Sequence, residues 1–309
     1  MSCPDIQTLL HHSLRHRQID LRLHYKTSVQ AEKWKQVHQT HSPAARSSQT
    51  QRIYEQAFQH IAHEWPSSQM LVVSIGCGNG TKDIKLFQIL HGLHIHYMPC
   101  DMSSSLVMDC LTASQKFANV RKVTPIIANF SEAGPLRELL DSISAAPRFF
   151  LFLGILPGMA PGEAAACLRT LVRTQDSLIV SANLLPPSGW QQIMPQYDNA
   201  ETRDWLLTLF DEIGIPRESG TLRFQAGATS DNPSVPRIEA YFEFTRFVRI
   251  EIDEEEYCFD RGDKLLLFYS HRFTPDRVHP LFHELGLPKP QTWLDSSSEE
   301  GVFLSIPAA

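Results

Sequence analysis

The sequence predicts an α/β protein with a doubly wound, Rossmann-like core and a second, smaller α+β domain. Three observations predict it. An apolar run enters a glycine-rich turn and leaves it as an amphipathic helix. Strand and helix patterns then alternate regularly from residue 69 to about 185. Beyond Pro186-Pro-Ser-Gly189 that rhythm stops and aromatic-rich strand patterns take over.

In chain order, residues 1–66 are polar, helix-leaning and rich in His and Gln. His11, His12 and His16 can put two imidazoles on one helical face. No Cys or carboxylate completes a ligand set, so solvated histidines are expected there and no metal. The segment Thr40–Ser48 has loop chemistry. After it, Ile53, Ala57, His60 and Ile61 recur at helical spacing, which predicts a helix over 51–62 lying across the sheet.

The first strand and its turn read Leu71-Val-Val-Ser-Ile-Gly-Cys-Gly-Asn-Gly-Thr-Lys82, followed by a helix with Ile84, Phe87 and Leu90 on one face. Gly76, Gly78 and Gly80 remove β-carbons where a ligand approaches backbone, and the helix start offers unpaired N–H groups. The pattern fits two ligand classes. A nicotinamide dinucleotide calls for G-x-G-x-x-G, whereas the position three beyond Gly78 is Thr81. The shorter G-x-G-x-G is common in methyltransferases that bind S-adenosylmethionine. The second strand ends at Asp101, where a carboxylate can accept hydrogen bonds from both ribose hydroxyls of an adenosine. The same residue could instead cap the helix that starts near Ser103.

Strand three is expected over 122–128, ending at Asn129-Phe130. Its helix carries Leu136, Leu139, Leu140 and Ile143. Strand four, 148–154, is apolar on both faces, as a central parallel strand should be, and strand five covers 176–183. Ligands of such sheets sit beyond the carboxyl ends of the strands. That gathers Gly76, Asp101, Asn129 and the stretch Gly154–Met159 around one crevice. Asn129 can meet an adenine edge because its amide both donates and accepts; a plain turn Asn is the alternative.

Further on, Trp205, Leu206, Leu209, Phe210 and Ile213 mark an amphipathic helix capped by Asn199. A loop over 227–236 precedes an antiparallel ribbon at 238–252, 256–259 and 264–273. A helix near 278–285 and a strand at 301–306 close the chain. The expected division is a helical segment 1–50 that joins the substrate domain, a cofactor core 51–186, an inserted substrate domain 187–270, and a return to the core at 271–309.

The 309 residues carry a net charge of −6 with both signs interspersed, so neither a nucleic-acid stripe nor an anionic-membrane patch is expected. No apolar run approaches membrane-spanning length, and Met1–Asp5 lacks the basic-then-apolar order of a signal peptide. The six cysteines, Cys3, Cys77, Cys100, Cys110, Cys167 and Cys258, form no C-x-x-C pair. A reduced, cytoplasmic setting is expected.

From about residue 70 onward the chain resembles the histidine-specific Nα-methyltransferases of ergothioneine biosynthesis. Ile75-Gly-Cys-Gly-x-x-x-Lys82 is similar to the family's L-G-S-G-x-x-x-K, and Tyr97-x-x-x-Asp101-x-Ser103 to Y-x-P-x-D-x-S. Asn129-Phe130 stands where the family has Asp-Phe. Phe152-Leu-Gly154 with Gly158 resembles F-L-G-S-x-I-G-N, and Gln196-Tyr-Asp-Asn199 resembles A-Y-D-D. Arg237-Ile-Glu239 matches R-I-E-M. Gly262-Asp263 through Ser270-His-Arg-Phe273 resembles G-E-x-I-x-x-E-x-S-x-K-F, and Trp293-x-Asp295 resembles W-x-D. The resemblance implies S-adenosylmethionine as cofactor, held by Gly76, Gly78, Lys82, Asp101, Asn129, Phe130 and Gly154, with Lys82 on its carboxylate.

The departures fall on the acceptor side. The family's head-group Asn is Met159 here, its imidazole-facing Glu is Phe268, and the Met of R-I-E-M is Ala240. Tyr197 and Ser270 are kept, and the tyrosine-rich E-Y-Y-P-T-R has no clear counterpart near 40–50. The expected enzyme is therefore an N-methyltransferase for a small amine or amino acid other than free histidine. Tyr197 would orient the nucleophile with support from Ser270, and Met159, Ala240 and Phe268 would line an apolar pocket. His271 points away from Ser270 on a strand and is not expected to act as base. The alternatives are core roles for those three residues, a nicotinamide-dependent oxidoreductase, a non-catalytic binding protein, or transfer to oxygen or a peptide side chain. The oligomeric state is not legible.

Overall fold

The computed structural model describes residues 6–228 and 235–308, so Cys3 and most of the expected loop 227–236 lie outside the described residues. The chain forms two compact units. The first comprises residues 43–187 and 272–308, the second residues 6–42 and 188–271. Residues 43–50, read from the sequence as part of the N-terminal segment, belong with the first unit. The reason is local: the helix Ser48–Glu64 is capped by Ser47 and buries Thr50, Ile53, Tyr54, Ala57, Phe58 and Ile61.

The first unit is built on β1 (Gln69–Ile75), β2 (His94–Asp101), β3 (Val120–Val123), β4 (Ile126–Ile127), β5 (Phe149–Phe152) and β6 (Ser177–Asn183). The spatial order from one edge is Gln291–Leu294, Glu300–Ser305, β6, β5, β1, β2, β3, with β4 also paired to β2. Strands β1 to β6 pair in parallel, and the two C-terminal strands run antiparallel. The chain moves outward from β1 to β2 and β3, then returns to β5 on the other side of β1. That reversal leaves a crevice at the carboxyl end of β1, the usual ligand position in such sheets. The four side chains of β5 have no exposed surface, as a central strand covered on both faces requires.

Strand three differs from the sequence reading. It is two short strands, β3 and β4, because Pro125 between them has no N–H for the ladder. Thr124 N donates to Tyr97 O at 2.9 Å and Ala128 N to Asp101 O at 3.1 Å, so β2 is still followed to its end.

The second unit contains the helices Ile6–Arg15, Ser28–His41 and Ala200–Ile213 and two antiparallel sheets. The expected cap is present: the Asn199 side chain accepts from Thr202 N, and Gly214 ends the helix. The strands are β7 (Gly220–Gly227), β8 (Arg237–Phe244), β9 (Val248–Ile252), β10 (Glu255–Phe259) and β11 (Lys264–His271). The single ribbon expected from sequence is thus a three-stranded sheet in the order β11, β8, β7 and a separate β9–β10 hairpin. The run 238–252 breaks after Phe244, where Thr245 turns back to bond Ser219 O and leaves Phe247 exposed.

Among the described residues no helix is long and apolar enough to cross a membrane, and no group of three His, Cys, Asp or Glu could hold a metal ion. His11 instead meets Tyr257 Oη at 2.6 Å. The five described cysteines are free.

Beneath the first turn lies a buried carboxyl. Asp83 accepts the Tyr97 hydroxyl at 2.5 Å and a bond from Ser74, and burial pushes its pKa up to about 6. The folded state therefore keeps a proton that the unfolded chain, near 3.9, has lost. Stability from this group is present below about pH 4 and is lost as pH rises through 6. Asp83→Asn keeps an acceptor for Tyr97 without the buried charge. Its melting temperature relative to the parent should rise between pH 4.5 and 7.5, by the equivalent of roughly 2 kcal/mol. A pH-independent difference would refute the assignment.

Candidate active site

The glycine turn is set by backbone geometry. Gly76, Gly78 and Gly80 all have positive φ, at 57°, 54° and 69°. A β-carbon on Gly76 would lie 2.0 Å from Ile155 Cδ1, and one on Gly80 2.8 Å from Cys110 Sγ. Gly80 is also the left-handed residue from which the helix Thr81–Ile89 starts.

Asp101 closes the turn from the neighbouring strand. The register pairs Ile75 with Cys100, so Asp101 follows alongside Gly76. Its Oδ2 accepts from Gly78 N at 3.1 Å and its Oδ1 from Ser103 N at 3.0 Å. Each oxygen keeps a further lone pair for a ligand hydroxyl. Burial raises its pKa against the backbone donors of Ser103, Gly78 and Met102. The alternative helix-cap role is thus met in part by the Ser103 bond, without using the carboxylate up.

Asn129 is buried, and its amide serves its own turn. Oδ1 accepts from Ser131 N at 3.1 Å and Nδ2 donates to Glu132 Oε1 at 3.2 Å. One N–H and one lone pair are left over for a base edge. Phe130 is half-buried, edge-on to Phe152, and 3.7 Å from where a Gly76 β-carbon would be. Its apolar face therefore borders the turn.

Lys82 leaves the first turn of its helix and brings Nζ to the end of β5. A β-carbon on Gly154, whose φ is 84°, would lie 3.3 Å from that nitrogen. Gly154 N donates to Ser181 Oγ at 2.8 Å. The Lys82 Nζ sits 4.9 Å from the centroid of the Tyr54 ring. Tyr54 in turn donates to Glu300 Oε1 at 2.5 Å. Sequence reasoning missed both residues. Tyr54 reads as one more core position on an apolar helix face, and Glu300 as a charge ahead of a strand.

In the second unit the structure brings Tyr197, Ser270, Phe268 and Ala240 together. Tyr197 Oη and Ser270 Oγ are 2.9 Å apart and hydrogen-bonded. Phe268 is half-buried between Tyr197, at 6.0 Å between centroids, and Trp205, at 5.8 Å. Ala240 pairs with Phe268 across β8 and β11. It has no exposed surface, so any part it takes is through the room it leaves Phe268. A bulge between Leu266 and Phe268 sets which side chains face which way. There His24 Nε2 donates to Leu267 O at 2.7 Å, and burial lowers the His24 pKa to about 4, so the ring is neutral. Phe268 and Ser270 share a face, while His271 on the other face stacks edge-on to Tyr269. Met159 belongs to the first unit, where it ends the short turn Leu156–Gly158 and is nearly buried.

Two of the motif matches are structural. Glu239 is buried and accepts from Arg237, Tyr241 and Gln225 at 2.7–3.0 Å; against burial, these donors hold its pKa low. Asp295 accepts from Thr50 Oγ1 at 2.9 Å and from the backbone N–H of Glu299 and Glu300 at 2.9 and 3.3 Å. It ties the last strand to the helix that carries Tyr54.

The cradle fits the expected cofactor: a backbone turn open to close approach, a pinned carboxylate for a ribose, and an ammonium for a carboxylate. Comparison with known proteins agrees. A family profile described as histidine-specific methyltransferase, SAM-dependent, matches residues 13–306. A histidine N-alpha-methyltransferase of Mycobacterium tuberculosis is 23% identical over 248 residues, covering 76% of this chain and 74% of that protein. One from Mycolicibacterium smegmatis is 24% identical over 250 residues, with the same shares. Among solved structures, the CcbJ methyltransferase from Streptomyces caelestis aligns with a TM-score of 0.42 and 15% identity, over 83% of this chain and 90% of that one. That score adds nothing to the topology described above.

Asp101→Ala should weaken binding of S-adenosylhomocysteine, the demethylated product of the expected cofactor, by on the order of a hundredfold, since two charge-assisted bonds are lost. Calorimetric titration checks this, and unchanged affinity in a folded variant would remove Asp101 from the site.

Proposed function

The chain belongs to the histidine-specific, S-adenosylmethionine-dependent methyltransferase family, and from that premise we propose that it N-methylates a small amine or amino acid other than free histidine. The observation that carries the reading is Phe268. By the resemblance it stands where the family has an imidazole-facing glutamate, and its ring centroid lies 6.0 Å from that of Tyr197, whose hydroxyl bonds Ser270. A benzyl ring cannot accept an imidazole N–H as a carboxylate does. A buried polar ligand group left unpaired there costs about 1–3 kcal/mol. Met159, on the first unit, likewise offers a thioether where the family has an amide. Both changes favour an acceptor with an aromatic or aliphatic side chain.

When bound, the cofactor supplies a methyl carbon activated by its positive sulfur. The protein's part is to hold the attacking nitrogen in line and keep its lone pair free. We assign that to the Tyr197–Ser270 pair. With Tyr197 donating to Ser270, the phenol oxygen can accept an amine N–H and turn the nitrogen lone pair toward the methyl group. The amine must first lose its extra proton, and an α-amino group near pKa 8 does so without a dedicated strong base. Tyr197 and Ser270 are therefore proposed as the catalytic pair. Phe268 is proposed to shape the acceptor side in the second unit, with Ala240 leaving it room, and Met159 is proposed as an acceptor-side residue of the first unit.

A methyl-transfer assay over a panel of amino acids and amines tests this. Histidine should give a kcat/KM at least about a hundredfold below the best aromatic or aliphatic acceptor. Phe268→Glu combined with Met159→Asn should shift preference toward histidine. Histidine emerging as the best acceptor of the parent protein would overturn the proposal.

A further inference from the structure

The last strand reaches into the cofactor cradle at one residue. Glu300 is 4% exposed and accepts the Tyr54 hydroxyl. Tyr54, 2% exposed, also bonds Ser181, whose Oγ accepts from Gly154 N. The face of the same Tyr54 ring receives the Lys82 ammonium. One aromatic ring thus links three groups. Its edge hydroxyl is tied to Glu300 on the last strand and Ser181 on β6, and its face holds Lys82 at the end of β5. Thr50, one helical turn before Tyr54, is bonded to Asp295, which also takes the Glu300 N–H. The ring and the carboxylate are therefore clamped to each other from two sides.

We propose that Tyr54 and Glu300 are positioning residues that hold the Lys82 ammonium beside Gly154 to receive the carboxylate of the cofactor's amino-acid tail. The proposal rests on Lys82 being the contact to that carboxylate. An ammonium on four methylenes has many rotamers, and fixing one before the ligand arrives removes that ordering cost from binding. A ring face restrains the ammonium without consuming its N–H donors, as a direct ion pair would. Among the described residues no carboxylate lies within 4.0 Å of Lys82 Nζ, so its donors are not spent on one.

Charge supports the geometry. Burial lowers the Lys82 pKa, and Glu300, then Asp83, oppose that loss. Burial raises the Glu300 pKa, while Lys82, the Tyr54 hydroxyl and Arg272 favour its ionised form and Asp295 opposes it. Glu300 is thus the stronger of two anions, the other being Asp83, that favour the charged form of Lys82. Removing it makes the ammonium easier to deprotonate, and carboxylate affinity then falls as pH rises.

Two ligands separate this subsite from the rest of the cradle. S-adenosylhomocysteine carries the amino-acid tail; 5′-methylthioadenosine keeps the adenosine and sulfur without it. Calorimetry on the full chain with Lys82→Met, Tyr54→Leu, Tyr54→Phe and Glu300→Gln is the experiment. Lys82→Met should lose on the order of thirtyfold in S-adenosylhomocysteine affinity and keep methylthioadenosine affinity. Tyr54→Leu and Glu300→Gln should each lose about tenfold for the tailed ligand only. The Glu300→Gln loss should grow between pH 6.5 and 9 while the parent changes little. Tyr54→Phe keeps the ring face and should lose only about threefold, which decides the matter if Tyr54→Leu does not fold. A tail-selective loss in Lys82→Met with none in the Tyr54 and Glu300 variants would overturn the positioning role. So would equal losses for both ligands in those variants. No loss in Lys82→Met would instead sink the reading of Lys82 itself.

Discussion

Two backbone N–H groups, from Gly78 and Ser103, hold the two oxygens of Asp101. They belong to the β1 and β2 strand–helix units, and the carboxylate joins these at the carboxyl end of β1, beside the crevice left where the chain reverses to β5. The rest of the first unit serves that arrangement. The turn can present Gly78 N because three alternating glycines accept positive φ, two of them, Gly76 and Gly80, where Ile155 and Cys110 leave no room for a side chain. Asp101 can stay buried and ionisable only because its donors are fixed backbone and cost no ordering. Tyr97 and Asp83 brace the turn from below.

Much of this was legible in the chain. The glycine spacing and an acidic residue at the next strand end are local signals, and each depends on a few neighbouring residues. Asn199 as a cap and the stripe Trp205, Leu206, Leu209, Phe210 are local for the same reason. What was not legible is non-local. The β9–β10 hairpin separates from the β7–β8–β11 sheet through a turn at Thr245, and nothing in the alternating pattern of 238–252 marks that turn. β7 lies just ahead of the expected loop and shows weak alternation, with only Leu222 fully buried along it. Pro125 did carry a signal, a missing donor in mid-strand, and the structure breaks there.

The acceptor side shows the same limit from another direction. Sequence matching finds Phe268 and Ala240 as substitutions, and it cannot say that Ala240 is sealed while Phe268 stays half-open. The bulge at Leu267, held by a neutral buried His24, decides which side chains of β11 share a face with Ser270. His24 lies far from that strand in sequence, in a segment that reads simply as polar and histidine-rich.

The strand Glu300–Ser305 lies between β6 and the edge strand Gln291–Leu294, yet it follows β6 only after the whole of the second unit's larger segment. Until it arrives, β6 is an unpaired edge, and closing so long a loop is slow. The first unit's sheet is therefore completed by a pairing of high sequence separation, the kind of contact that forms slowly. A small molecule that binds only the completed cradle would hold that last strand in place by mass action. For this protein, occupancy of the cradle and docking of the last strand are thus thermodynamically linked.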